Sequence, residues 1–349
     1  MIDSTEHKKN SSIIMTSRIR LARNIAGKRF ANSASPDELA NIYDICFNAL
    51  SEARQFKGGE CVKMSEISEF GRAMLIEDKL ASRELPAGSP ASGVFYSADY
   101  SLSAMINEED HLRVQALGVK QCLKSLWRKL NATDDAIEKN IEYAYSDDFG
   151  YLTACPTNVG TGMRASLMMH LPALALTEQM EKIARGLNQL GMVVRGADGE
   201  GSDSYGAFFQ ISNQQTLGMS EDDIIKKIIK FGEKVCEFEI NARLKLWQDS
   251  PIILQDKISR AVAILKNCKL IDTAEAMEHL STLRLCADMG LMQDATYAIN
   301  MIDEVMLDIK PAHIQRKFNI REIDSQERDK VRASYLNSVV KALPKLKIK

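Results

Sequence analysis

A chain of 349 residues exceeds what one hydrophobic core usually fills, so two domains are expected. With 45 basic and 47 acidic residues the net charge is −2; no global basic field points to nucleic acid, and any anion site must be a local cluster. Residues 1–10 are too polar for a secretory signal, no apolar run is long enough to span a membrane, and the seven cysteines lack CxxC spacing, which fits a reducing cytoplasm rather than a disulfide framework or zinc cluster.

In chain order, residues 13–20 read as a strand on which Arg18 and Arg20, two apart, project from one face. A helix opens at Ser35-Pro36-Asp37-Glu38, with Ser35 as cap and Pro36 at the first helical position. Residues 72–77 and 93–107 read as strands, and the acidic run Glu108-Glu109-Asp110 follows, with Arg113 just behind it. Segments 141–146 and 151–155 pair as a hairpin across Asp147-Asp148-Phe149-Gly150. Residues 163–190 read as helical. That reading puts Arg164 in a first helical turn after Gly160-Thr161-Gly162, where free N–H groups and the helix dipole favour an anion. Strands at 192–195 and 207–212 flank a glycine-rich loop that Arg195 opens. From Ser220 the pattern turns helical: Ile224, Ile228, Phe231, Val235 and Phe238 recur at helical spacing. Beyond a linker at Asp249-Ser250-Pro251, helices are expected at 257–266, 273–288 and 327–343. The fold class is therefore α+β: an antiparallel sheet flanked by helices over residues 1–249, then a helical C-terminal domain over 250–349.

Arg18, Arg20, Arg113, Arg164 and Arg195 each read singly as a solvated surface arginine. Together they could neutralise a nucleotide triphosphate, as phosphoryl transfer requires. Cys155 reads equally as a buried core cysteine, and the acidic run as a solvated loop. His7, His111, His170, His279 and His313 lie far apart in sequence, so no protein-only metal site is expected. Arg328 and Arg332, four apart, share a helix face with Asp329 beside them; the bland reading is a salt-bridged surface.

Three runs, in order, resemble the phosphagen (ATP:guanido) kinase family: Thr16-Ser17-Arg18-Ile19-Arg20-Leu21-Ala22-Arg23-Asn24, Asn107-Glu108-Glu109-Asp110-His111-Leu112-Arg113, and Cys155-Pro156-Thr157-Asn158-Val159-Gly160-Thr161-Gly162-Met163-Arg164. Three further runs are similar to the bacterial protein arginine kinases within it: Arg195-Gly196 with Gly199-Glu200-Gly201-Ser202, Met168-Met169-His170-Leu171-Pro172-Ala173-Leu174, and Arg328-Asp329-Lys330-Val331-Arg332-Ala333. The resemblance implies a catalytic core like that of glutamine synthetase, ATP and Mg2+, and protein arginine as acceptor. It makes Arg18, Arg20, Arg113, Arg164 and Arg195 the phosphate clamp and Glu109 the base. Glu200 holds the guanidinium, Cys155 orients it, and Arg328, Asp329 and Arg332 bind phosphoarginine. It further implies a homo-oligomer, an activator protein and a Clp-type protease as partner. Only a short segment precedes the first motif, where kinases of small guanidines carry a helical domain; an open site for protein substrates is the expectation. Lys79 stands where the family often has a base-contacting histidine. A kinase of free arginine is the rival reading, and a phosphoarginine-binding adaptor is the rival of another class.

Overall fold

The computed structural model describes residues 12–196, 205–320 and 324–347. In chain order its elements begin with β1 (Ile14–Arg23), α1 (Pro36–Glu52), β2 (Glu60–Lys63), α2 (Glu69–Glu77), β3 (Gly93–Tyr96), β4 (Leu102–Ile106), β5 (Leu112–Val119) and α3 (Leu123–Glu138). The hairpin β6 (Tyr145–Ser146) and β7 (Gly150–Tyr151) precedes β8 (Met163–His170), α4 (Pro172–Leu176), α5 (Met180–Gln189), β9 (Met192–Gly196) and β10 (Phe208–Asn213). Helices complete the chain: α6 (Glu221–Asp249), α7 (Pro251–Asn267), α8 (Thr273–Asp288), α9 (Ala295–Asp308), α10 (Pro311–Lys317) and α11 (Ser325–Ala342).

Eight strands form one antiparallel sheet in the order β2-β3-β4-β5-β1-β8-β10-β9, so β1 is central between β5 and β8. Alternation along the strands divides its faces. Ile19 and Leu21 of β1, Val114 and Ala116 of β5, Ala165 and Leu167 of β8 and Ile211 of β10 are wholly buried. They share a core with Ile42 and Cys46 of α1, Leu130 of α3 and Ile224, Ile228 and Val235 of α6. The opposite face carries the arginines.

Two expectations are corrected. Residues 72–77 are helical, within α2, because the Ser68 hydroxyl accepts from the Gly71 amide and caps a helix there. Residues 163–170 are strand β8, and helix begins only at Pro172. Their Met, Leu and Ala residues favour helix locally, but a central position between β1 and β10 pairs their backbone on both sides. The Ser35 and Ser220 caps form as expected, each side chain accepting the amide three residues on.

At Ser250 one helix ends, and Pro251 opens the next with no intervening loop. From Leu254 to Val339 the helices surround their own apolar cluster, which also takes in Phe208. Buried polar groups stitch that cluster to the sheet. Arg243 of α6 bonds Glu239 (2.7 Å) and Asp288 of α8 (2.5 Å), while Arg284 of α8 bonds Asp303 (2.6 Å) and His170 at the end of β8 (3.1 Å).

Candidate active site

Cross-strand register brings the five arginines onto one face. Arg20 of β1 lies opposite Arg164 of β8 on one side and Gln115 of β5 on the other. Arg18 lies between Ser166 and Leu117, and Arg113 pairs with Ala22 one step along the same face. The row from Thr16 through Met168 and Gln210 ends at Arg195 on the edge strand β9. Arg164 is therefore a strand residue opposite Arg20, not the first-turn helical residue that the sequence suggested. Gly160-Thr161-Gly162 correspondingly leads into a strand, and no helix N-terminus stands behind it. Its glycines serve close packing: a Cβ on Gly160 (φ +112°) would stand 2.4 Å from the Thr216 carbonyl, and one on Gly162 (φ +64°) 2.6 Å from that of Ala22.

So many cations on one face depress each other's affinity for a proton. Burial, then Arg113 and Arg164, lowers the Arg18 pKa to about 10. Burial, then Arg18, Arg113 and Arg164, also pushes the Arg20 pKa well below its ordinary value. For Arg164 the causes are burial, Arg195 and Arg113. Little anionic charge offsets this. Arg18 donates to the amide oxygen of Gln210 (2.9 Å), and Arg113 is ion-paired with Glu108. The Arg20 Nε is buried and, among the described residues, has no hydrogen-bond partner. This face is built to receive a polyanion.

The acidic run divides its work. Asn107 adopts φ +52° and donates to the carbonyls of Leu39 (3.0 Å) and Ala91 (2.7 Å). His111 accepts the Ile25 amide at Nδ1 (3.0 Å), so its Nε2 carries the proton donated to the Arg29 carbonyl (2.7 Å). Burial opposes ionisation of Glu108, but Arg113 and the Ser82 hydroxyl outweigh it and hold its pKa low. Asp110 is buried and accepts from both Asn24 (2.7 Å) and the Ala154 amide (2.7 Å). That last bond ties the acidic loop to the residue before Cys155. Glu109 is left exposed toward the arginines, and partial burial, with Asp110 and Glu108 beside it, raises its pKa.

Cys155 is half-buried, its sulfur 3.0 Å from the Thr157 hydroxyl. The Arg164 guanidinium senses both the Cys155 sulfur and the Glu109 carboxylate, so carboxylate, thiol and cation share one neighbourhood. Arg23, the next odd residue on β1, points to the other face. It is buried against Asp134 (2.7 Å), stacks 3.5 Å from the Tyr151 ring centroid, and donates to the Thr161 carbonyl (3.0 Å), steadying the glycine loop. Glu200 lies outside the described residues. Gln210, Asn24 and Arg23 were not singled out from sequence, although Arg23 and Asn24 close the first motif.

Lys79 (φ +64°) joins Thr16, Arg18, Leu117, Ser166, Met168 and Gln210 around a cavity of about 90 Å³ beside the arginines. Far from this face, Arg332 of α11 is buried. It donates to the carbonyls of Ile309 (2.9 Å) and Ile271 (2.8 Å) and to Asp329 (2.5 Å), while Arg328 remains half-exposed. Arg332→Ala is therefore expected to destabilise the protein by about 2–5 kcal/mol, because each orphaned buried carbonyl costs about 1–3 kcal/mol; a urea melt measures it.

Among the described residues no helix is long and apolar enough to cross a membrane. The model for the ATP:guanido phosphotransferase C-terminal catalytic domain matches residues 41–242, and that for the protein-arginine kinase McsB C-terminal domain matches residues 251–349. Protein-arginine kinases of Bacillus pumilus and Geobacillus stearothermophilus are each 41% identical to this chain. The match covers 93% of the chain and 89% of the first relative, 94% and 90% for the second. Among solved structures, lombricine kinase is similar with TM-score 0.58 and 26% identity, over 68% of this chain and 70% of its own. A duplicated taurocyamine kinase from Schistosoma mansoni gives TM-score 0.59 and 25% identity over 65% of this chain, which spans 33% of that protein. The arginine-lined sheet face thus has its place in a known lineage: the chain belongs to the ATP:guanido phosphotransferase family, in its protein-arginine kinase branch.

Proposed function

We propose that the protein transfers the γ-phosphoryl group of ATP to arginine side chains of other proteins, giving ADP and protein phosphoarginine. The observation that carries this reading is the convergence of five arginines on one sheet face with Glu109 and Cys155 at its margin. Arg18, Arg20, Arg113, Arg164 and Arg195 grip the phosphates and spread the charge that develops on the transferring group. An acceptor guanidinium has a pKa above about 12 and attacks only as a proton leaves. Glu109 takes that proton, its raised pKa making it a better base than an ordinary surface carboxylate. Cys155 and Glu200 hold the remaining guanidinium nitrogens. Magnesium brought in with ATP would help neutralise the phosphate charge that the arginines face.

Protein-arginine kinases as full-length relatives support a protein acceptor over free arginine. The matched C-terminal family supports a phosphoarginine site on α11. There Arg328 and Asp329 meet the ligand, and Arg332 sets their helix in place from within. The same reading makes the protein a cytoplasmic homo-oligomer that answers to an activator and delivers marked proteins to a Clp-type protease. The direct test incubates the kinase with ATP and an unfolded protein and looks for acid-labile phosphate on arginine by mass spectrometry. Phosphate found only on hydroxyl side chains, or none, would sink the proposal.

Two variants probe the parts. Cys155→Ser is expected to fold normally, hold ATP as before and lose most of its turnover, since a hydroxyl cannot supply a thiolate. Early melting of that variant would return Cys155 to a packing role. Arg328→Ala should weaken binding of a phosphoarginine peptide in calorimetry; unchanged affinity would remove Arg328 from that site.

A further inference from the structure

Lys79 reaches the arginine face on a short segment that is held from two sides. From the sheet, Gln115 donates to the Lys79 carbonyl (2.6 Å) and the Ser103 hydroxyl donates to that of Leu80 (2.9 Å). Both donors stand on the arginine face, in the row of Arg20. Lys79 itself is left-handed, a conformation that costs a side-chain-bearing residue roughly 1–2 kcal/mol and persists only where its surroundings enforce it. The enforcement from the other side comes from 235 residues along the chain.

His313 of α10 is buried, its Nδ1 2.7 Å from a Glu77 oxygen and its Nε2 3.0 Å from an Asp78 oxygen. Two carboxylates facing both ring nitrogens fit an imidazolium that donates twice. Glu77 also accepts the amides of Ala312 (2.9 Å) and His313 (3.1 Å), so the start of α10 is locked to the end of α2. Asp78 comes next in the chain, and Lys79 directly after it. In the other direction α10 follows Ile309, whose carbonyl takes the Arg332 guanidinium. The clasp thus runs without a gap from the C-terminal helices to the wall of the cavity beside Arg18.

We propose that His313 is a positioning residue for the nucleotide pocket: clasped between Glu77 and Asp78, it holds the segment that presents Lys79 to the arginine face. This rests on reading that face as the ATP site. Loss of the clasp would free the left-handed turn to relax and move Lys79 away, leaving Glu109, Cys155 and the five arginines untouched.

The test measures ATP dissociation constants, by calorimetry on the full-length protein, for wild type, His313→Ala, Asp78→Asn and the double variant. Loss of one or two charge-assisted hydrogen bonds predicts weakening on the order of five- to tenfold for each single variant. The double variant should be little worse than either, because both break one unit. The turnover number at saturating ATP should fall far less than the affinity. An ATP dissociation constant unchanged in both single variants, with only the melting temperature lowered, would overturn the proposal and leave His313 a structural residue. Asp78→Asn keeps the Glu77 lock, so it reports even where His313→Ala fails to fold. Because binding is measured without an acceptor, a wild type that binds ATP yet phosphorylates no protein would refute the assigned activity and still test the clasp. A wild type that binds no ATP would overturn both.

Discussion

Glu109→Gln is expected to slow single-turnover phosphorylation of an unfolded protein by on the order of a hundredfold or more. The substitution keeps the side chain's shape and an acceptor oxygen but removes its basicity. ATP affinity should hold or tighten, since the variant also removes a carboxylate that interacts with Arg113 and Arg164. The fold should not suffer. Burial, then Asp110 and Glu108, raises the Glu109 pKa, so the favourable contribution of its neutral form is full below the unfolded pKa and lost as pH rises through the folded one. At neutral pH ionised Glu109 is therefore a cost to stability, which glutamine relieves. The same raised pKa predicts that the acid limb of the pH–rate profile lies above the ordinary carboxylate range and disappears in Glu109→Gln. Glu108→Gln is the paired control. Its carboxylate is committed to Arg113 and Ser82, so its loss should appear mainly in nucleotide binding. Near-normal turnover in Glu109→Gln would show that another group takes the proton.

Arg20→Met separates activity from stability in the opposite sense. Arg20 is half-buried beside Arg18, Arg113 and Arg164, and its buried Nε lacks a partner among the described residues. Its depressed pKa means that the fold disfavours the charged form, so removing that charge relieves repulsion in the nucleotide-free protein. Methionine preserves most of the apolar stem. The melting temperature without nucleotide should accordingly rise, while turnover falls on the order of a hundred- to a thousandfold, the scale for losing one preorganised donor to a transition-state anion. The stabilisation that ATP confers on wild type should shrink in the variant. A lower melting temperature with retained activity would contradict both halves.

That the arginines gather on one face was partly legible in the sequence; how they meet was not. Arg18 and Arg20 share a face because they are two apart on a strand, and that periodicity was visible. Arg164 was placed on a helix, because Met163, Leu167, Met168 and Met169 suit a helix by local preference. Their side chains alternate between the two sheet faces instead: Met163, Ala165, Leu167 and Met169 lie in the core, with Arg164, Ser166 and Met168 on the other face. That alternation was the available signal. The meeting of Arg20 with Arg164 is a matter of register between strands more than a hundred residues apart, which no local pattern encodes. Asn107, Asp110 and His111 stood in a motif read as catalytic, yet their hydrogen bonds hold the loop that presents Glu109. The clasp of His313 with Glu77 and Asp78 was invisible for the same reason, its partners lying at opposite ends of the chain.

The most direct test of protein arginine as the acceptor compares kcat/KM for arginine residues in an unfolded protein with that for free arginine, at saturating MgATP. The account predicts a far higher value for the protein, with acid-labile phosphate on its arginines and both reactions lost in Glu109→Gln. Equal or faster phosphorylation of free arginine would contradict the protein-kinase reading and make this a small-guanidine kinase built on the same arginine face.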